Sequence, residues 1–169
     1  MSIDQVKDLF SRGFEIGAHT QTHPHLPTLS TSQQQSEIDG SKSDLESWGV
    51  GSITTFDYPY GEYDQNTMQL VKNAGFNSAV SVIRGFVTKA SDPYQLEEQE
   101  AGSSVPLTQY EQWIDQAAAN HQWVILTFHD VKDGGDSYSV TPQMFDDIVN
   151  YVKQKGIPVI TVSQGVEKL

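Results

Sequence analysis

The sequence predicts an α/β fold, a layered or barrel arrangement with about five parallel strands, and three observations carry that expectation. Helix-like and strand-like apolar periods alternate along the whole of its 169 residues, the pattern of strands wound with helices. Trp123 to Phe128 is apolar at nearly every position, as a strand covered on both faces would be. Polar clusters follow three of the strand-like runs: His19 with His23, Asp57 to Gly61, and His129 with Asp130. That is where an α/β protein places its chemistry, beyond the carboxyl ends of its strands.

The elements follow in order. Ile3, Val6, Leu9 and Phe10 form a helical stripe closed by Gly13, and residues 14–18 alternate like a strand. A second helix starts near Ser30 or Thr31, where Gln33 or Gln34 completes a capping box, with Ile38, Leu45 and Trp48 on its apolar side. Ile53 to Phe56 reads as a strand. Asp64 caps a helix with Met68, Val71 and Ala74 inward and Gly75 as its stop. Phe76 to Ile83 is strand-like, and residues 85–106 are a polar, turn-rich excursion. Thr108 with Glu111 is a second capping box, opening a helix to about Asn120. After the strand at 123–128, Thr141-Pro142 starts a helix with Met144, Phe145, Ile148, Val149 and Val152 inward and Gly156 after it. Pro158 to Val162 is a last strand. There is no internal repeat and no linker, so residues 1–169 read as one domain, long enough to bury a core.

The net charge is -12, from 22 acids against 10 bases. Such a field repels phosphate and disfavours nucleic acid and anionic membrane surfaces as partners. Neutral or cationic substrates, such as uncharged glycans or amino sugars, are compatible with it. The absence of cysteine removes disulfides, thiolate metal sites and cysteine nucleophiles. No stretch approaches a membrane span, and Met1 to Asp4 is no signal peptide; a targeting segment, if the parent has one, is expected outside this chain.

His19 and His23 stand four residues apart, a common metal-ligand spacing. A helix usually creates it, but here a strand-like run precedes the pair and Pro24 would disrupt a helix through His23. The alternative is a hydrogen-bonded turn pair. His25 reads as a solvated loop residue and His121 as a helix-terminal charge partner. His129, after an apolar strand, is equally a satisfied core histidine; taken alone, Tyr58-Pro59-Tyr60-Gly61 reads as a tight aromatic turn, and Asp130 as a cap on the turn that follows.

Together these pieces resemble the polysaccharide deacetylase family, the NodB-homology carbohydrate esterases. Residues 19–24, His-Thr-Gln-Thr-His-Pro, match the family's H-[ST]-x-x-H-P motif at every position. Asp57-Tyr58-Pro59-Tyr60-Gly61 looks like R-x-P-Y-G with Asp57 in the arginine's place, and Leu126-Thr127-Phe128-His129 looks like the later apolar strand that ends in histidine. The resemblance implies a distorted (β/α) barrel of the NodB type. It implies a divalent metal, zinc first, held by His19 and His23, and a Tyr60 backbone N–H facing the oxyanion. His129 would be the general acid, and Tyr58, Pro59, Leu126 and Phe128 would line the substrate, the last two near the acetyl methyl. The substrate would be an acetylated glycan of acetylxylan, chitin or peptidoglycan type, hydrolysed at an O- or N-acetyl group, in an extracellular or cell-envelope setting.

The departures matter as much. The family's T-F-D-D motif, which holds the base and the third metal ligand, is not present, so the fold is expected to be incomplete at its N-terminus. An exposed central edge would then favour a homodimer or higher oligomer. Asp57 is the substitute base best placed by sequence; Glu98, Glu100 and Asp115 are candidates to tune the acid histidine. Two rivals stand beside this reading. One is a non-catalytic glycan-binding domain offering Tyr58, Tyr60, Tyr63 and Trp123 as stacking faces. The other is a metal-dependent hydrolase of another (β/α) class with Asp57 and Asp130 as ligands.

Overall fold

Side-chain caps define most of the helices in the computed structural model, which describes all 169 residues. Ser2 and Gln5 close a capping box on α1 (Ile3–Ser11), and Ser30 and Gln33 do the same for α2 (Thr31–Ser47). Asp64 accepts from the Thr67 N–H to start α3 (Gln65–Asn73). Each cap satisfies amide groups that the first helical turn leaves without partners. Cα packing divides the chain into two units.

The first unit comprises residues 1–81, 91–96 and 161–169. Its core gathers Leu26, Ile38, Val50, Ile53, Phe56, Tyr58, Val71 and Phe76. Strand β1 (Thr55–Asp57) pairs in parallel with the first residues of β2 (Ser78–Arg84), Thr55 against Ser78 and Asp57 against Val80. The run at 14–18 is not a strand. It is extended chain that touches β1 through one parallel bridge, Ala18 to Phe56. The stripe of α1 is also less buried than its period suggests: Val6 packs on the core while Ile3 and Phe10 are exposed. Between α2 and α3, the Thr67 hydroxyl lies fully buried, 2.8 Å from Gln34 Oε1 and 2.9 Å from Asp64 Oδ1. The expected last strand at 158–162 is absent; Thr161 instead caps a short helix, α6 (Val162–Val166), whose Ser163 N–H donates to Glu15.

The second unit comprises residues 82–90 and 97–160. The excursion at 85–106 conceals a strand, β3 (Leu96–Glu100), whose Gln99 and Glu100 pair in parallel with Leu126 and Thr127 of β4. A run of Glu and Gln carries no apolar alternation, so the period gave no sign of it. The strand expected at 123–128 shrinks to those two half-buried residues rather than a strand covered on both faces. Helix α4 (Leu107–Asn120) begins after Pro106 with no side-chain cap, so the Thr108–Glu111 box does not form; His121 ends the helix in the left-handed region. Two further residue pairs, β5 (Asp130–Val131) and β6 (Ser139–Val140), ladder in parallel. Helix α5 (Pro142–Lys155) is capped by Thr141 and stopped by left-handed Gly156, as its sequence predicts. It packs with α4 around Tyr110, Ile114, Val140 and Ile148.

Glu98 is buried on β3, and burial raises its pKa above the ordinary 4.5 against an opposing hydrogen bond from Thr127. A raised folded-state value means that the protonated carboxyl favours the fold. Its contribution is full below the unfolded pKa and is lost as pH rises through the folded one. Glu98→Gln removes the titration and keeps the shape. Relative to that variant, the parent should lose stability as pH rises from the ordinary value of 4.5 through the higher folded-state one, read from urea midpoints. Superimposable pH profiles would contradict this.

Candidate metal and acid–base residues

The His19 side chain is placed by backbone pairing. Ala18 N–H donates to Thr55 O at 3.0 Å and Asp57 N–H donates to Ala18 O at 2.9 Å, which brings residues 19 and 57 side by side at the end of β1. His19 Nδ1 then lies 2.8 Å from the Asp57 carbonyl oxygen. A carbonyl only accepts, so Nδ1 carries the proton and the ring's lone pair sits on Nε2. This is the arrangement that orients a metal-binding imidazole and fixes its tautomer. The His23 ring stands 4.8 Å from that of His19, centroid to centroid.

The loop that returns His23 to His19 is held in uncommon backbone geometry. Thr20 and His23 both have positive φ, 64° and 57°, as does Tyr60 at 59°. These are three of the four non-glycine residues in the left-handed region. Each such residue costs on the order of 1–3 kcal/mol and persists where its surroundings over-determine it, as they do at functional sites. The Tyr60 ring meets His23 edge-on at 4.4 Å and lies flat on His25, 4.0 Å away at 11°. His25 is thus no free loop residue: its Nδ1 is 2.8 Å from Glu62 Oε2. Adjacency of His25 to the motif was the only sign of this, because its partners lie 35 and more residues along the chain.

The chemistry of the donors suits a divalent cation as far as it goes. Two imidazoles, one already oriented from behind, are half of a tetrahedral set. No group of three or more His, Cys, Asp or Glu side chains is gathered to hold an ion. Asp57, expected as a substitute base, has Oδ2 3.9 Å from His19 Nδ1. That nitrogen is the one bonded to the Asp57 carbonyl. Asp130 is taken up by Lys132, 2.7 Å away.

In the second unit, His129 Nε2 is 3.3 Å from Glu100 Oε1, and the other oxygen of that carboxylate binds Arg84. Glu100 is thus the one of the three tuning candidates that reaches His129. Glu98 sits on the same strand two residues earlier, buried and bonded to Thr127. Asp115 instead clips α4 to α5, accepting from Tyr151 and Lys155, which hold its carboxyl below the usual range. Tyr138, unremarked in the sequence, meets the His129 ring edge-on at 5.2 Å. Leu126 and Phe128 pack in the core of this unit, with Phe128 edge-on to Phe145.

Two expected substrate contacts are corrected. Tyr58 is 1% exposed, stacked on Tyr63 and donating its hydroxyl to Tyr94 O. Burial pushes its ionisation far above the ordinary range. Pro59 is buried beside it. Neither side chain can meet a sugar, because both complete the core beneath the turn. Tyr63 is half-buried with its hydroxyl on Gln95, and Trp123 is half-buried and bridged to Val87. Of the four proposed stacking faces, Tyr60 alone is well exposed, at 52%.

Comparison with known proteins places this geometry. The family described as polysaccharide deacetylase matches residues 2–79. YxkH of Bacillus subtilis (strain 168), whose name puts it among the polysaccharide deacetylases, is 29% identical over 93 residues, 55% of this chain; the chain spans a third of it, 33%. The deacetylase PplD of Streptococcus pyogenes, solved with acetate, is 25% identical with a TM-score of 0.56 over 57% of this chain and 43% of its own. A family 4 carbohydrate esterase from Streptomyces lividans, also solved with acetate, matches 96% of this chain and 74% of its own with a TM-score of 0.59 at 17% identity. A Mycobacterium smegmatis protein described as a polysaccharide deacetylase matches 98% of the chain and 66% of its own with a TM-score of 0.70 at 12% identity. The fold is therefore the α/β, NodB-type fold of these deacetylases, and residues 2–79 are similar to the polysaccharide deacetylase family.

Proposed function

We propose that this chain is part of a metal-dependent carbohydrate deacetylase that removes acetyl groups from a neutral or amino-sugar polysaccharide. The observation that carries the proposal is the pair of imidazoles held 4.8 Å apart on a strained loop, with the Asp57 carbonyl fixing the His19 tautomer. The relatives supply the reaction class: PplD and the Streptomyces lividans esterase are both described with acetate, the product of such a hydrolysis.

In this reading His19 Nε2 and His23 hold the ion, with zinc the first expectation for nitrogen donors. A divalent ion bound there would polarise an acyl oxygen and acidify water. The chain's own groups orient a ligand, hold the oxyanion and protonate the leaving group. The Asp57 carbonyl keeps His19 oriented, and the Tyr60 turn, whose left-handed residue aims the backbone, supplies an N–H to the developing oxyanion. His129 gives a proton to the departing amine or alkoxide. Because a carboxylate only accepts, Glu100 holds His129 with Nε2 protonated, which leaves Nδ1 to carry the exchanging proton. The acidic charge of the chain favours a cation and an uncharged or amino-bearing glycan over an anionic one.

A second reading, a glycan-binding domain without catalysis, draws on one observation, the exposed Tyr60 ring stacked on His25. The two separate in solution. Replacing His19 and His23 together with Ala should abolish divalent uptake by elemental analysis; an unchanged zinc content would remove the metal assignment. His129→Ala should lower acetate release from acetylated xylan or chitin oligomers by about 10²–10⁴-fold. The loss should be greater for an amide than for an activated ester, whose leaving group needs no proton. Glu100→Gln should cost less than His129→Ala but in the same direction. A parent that binds these oligomers and releases no acetate would favour the second reading.

A further inference from the structure

Helix α2 is built to receive the loop that carries the two histidines. Glu37 Oε2 accepts from two successive backbone amides, Gln21 N–H and Thr22 N–H, both at 2.9 Å. Its Oε1 accepts from the Thr22 hydroxyl at 2.7 Å. Paired successive amides form a concave donor site of the kind that grips one anionic oxygen, and bonds to an ionised acceptor are the strong ones. One turn further along the helix, Gly40 leaves open the space occupied by the end of the Gln21 side chain, which would lie 2.4 Å from an added Cβ. One turn beyond that, Asp44 Oδ2 accepts from Gln21 Nε2 at 2.7 Å. Glu37, Gly40 and Asp44 thus lie along one face of α2, all three against the loop.

The residues gripped are the two between the left-handed positions. Thr20 and His23 hold positive φ on either side of Gln21 and Thr22, and within the loop Thr20 Oγ1 accepts from His23 N–H at 3.1 Å. Released, Thr20 and His23 would relax toward ordinary backbone angles, and His23 would swing away from His19.

We propose that Glu37 is a positioning residue, whose carboxylate holds the strained 20–23 loop so that the His19 and His23 rings stand in ion-binding arrangement. This rests on the reading of that pair as metal ligands. Glu37 meets no ion itself and acts only through the backbone of the loop.

Cobalt(II) titration with a competing chelator tests it, together with hydrogen exchange at the Gln21 and Thr22 amides in the metal-free protein. Glu37→Ala should weaken cobalt binding about 10–100-fold, the usual range for a partner that orients ligands, and should speed exchange at both amides. Glu37→Gln, which keeps an acceptor for the amides, should recover most of both. Unchanged cobalt affinity in a folded Glu37→Ala protein would overturn the proposal. So would equal losses in the Ala and Gln variants, which would implicate charge in place of loop geometry. A parent that takes up no cobalt would refute the metal reading itself. In that case, amide protection that depends on Glu37 still upholds the brace, and its absence overturns it.

Discussion

The pairing of Ala18 with β1 is the constraint on which the candidate site depends. Two hydrogen bonds, from Ala18 N–H to Thr55 O and from Asp57 N–H to Ala18 O, join an otherwise unpaired segment to the strand. Phe56 anchors the strand side, nearly fully buried against Tyr58 and Phe76, and Ala18 is equally buried on the other. The parallel register sends His19 and Asp57 out of the pair at the same level. The 2.8 Å bond from the His19 ring to the Asp57 carbonyl follows from that register and needs no separate device. Tyr58 and Pro59, which resemble substrate contacts in the family motif, serve this same anchor from below.

Strain and its restraint are arranged around that anchor. The loop 20–23 and the Tyr60 turn each hold non-glycine residues in the left-handed region. Each is steadied by a carboxylate. Glu37 on α2 binds the loop amides, and Glu62 holds His25 flat against the Tyr60 ring. A capped α2 gives Glu37 a rigid base, since Ser30 and Gln33 satisfy the helix's first amides reciprocally. Gly40 weakens the middle of a helix by about 1 kcal/mol relative to Ala, and the space it leaves is filled by Gln21. A residue that is unfavourable by propensity is thus accounted for by the loop it accommodates.

Much of this was legible in the sequence where the signal was local. Ser30 with Gln33, Asp64 before α3, and Thr141-Pro142 with Gly156 all appear as read, because a cap is decided by residues three or four apart. Strands fared worse because pairing is decided elsewhere. Residues 14–18 and 123–128 alternate or run apolar, yet reduce to one bridge and two laddered residues; the polar β3 was hidden. The Thr108–Glu111 box failed because Pro106 starts the helix earlier. Among the candidate residues, His19, His23 and Tyr60 stand out by motif, and Glu100 was among those named beside His129. Glu37 and the pairing of His25 with Glu62 were not legible, since each acts across 15 or more residues of chain.

Taken as metal ligands, two neutral imidazoles supply no charge to offset a divalent ion, which a carboxylate would. The compensation available to this chain is longer in range: an excess of 12 negative charges, with the Asp57 carboxylate near His19. A negative charge near an imidazole pair favours a cation bound there, and Asp57 brings one within 3.9 Å of His19 Nδ1. The same field acts on the substrate. A glycan bearing carboxylates or phosphates would meet repulsion over the surface as a whole, whereas a neutral acetylated chain would not, and one that gains an amine on deacetylation would be increasingly attracted. The charge that strengthens a two-nitrogen site therefore also narrows the polymers the proposed site would accept, and the two effects share one cause.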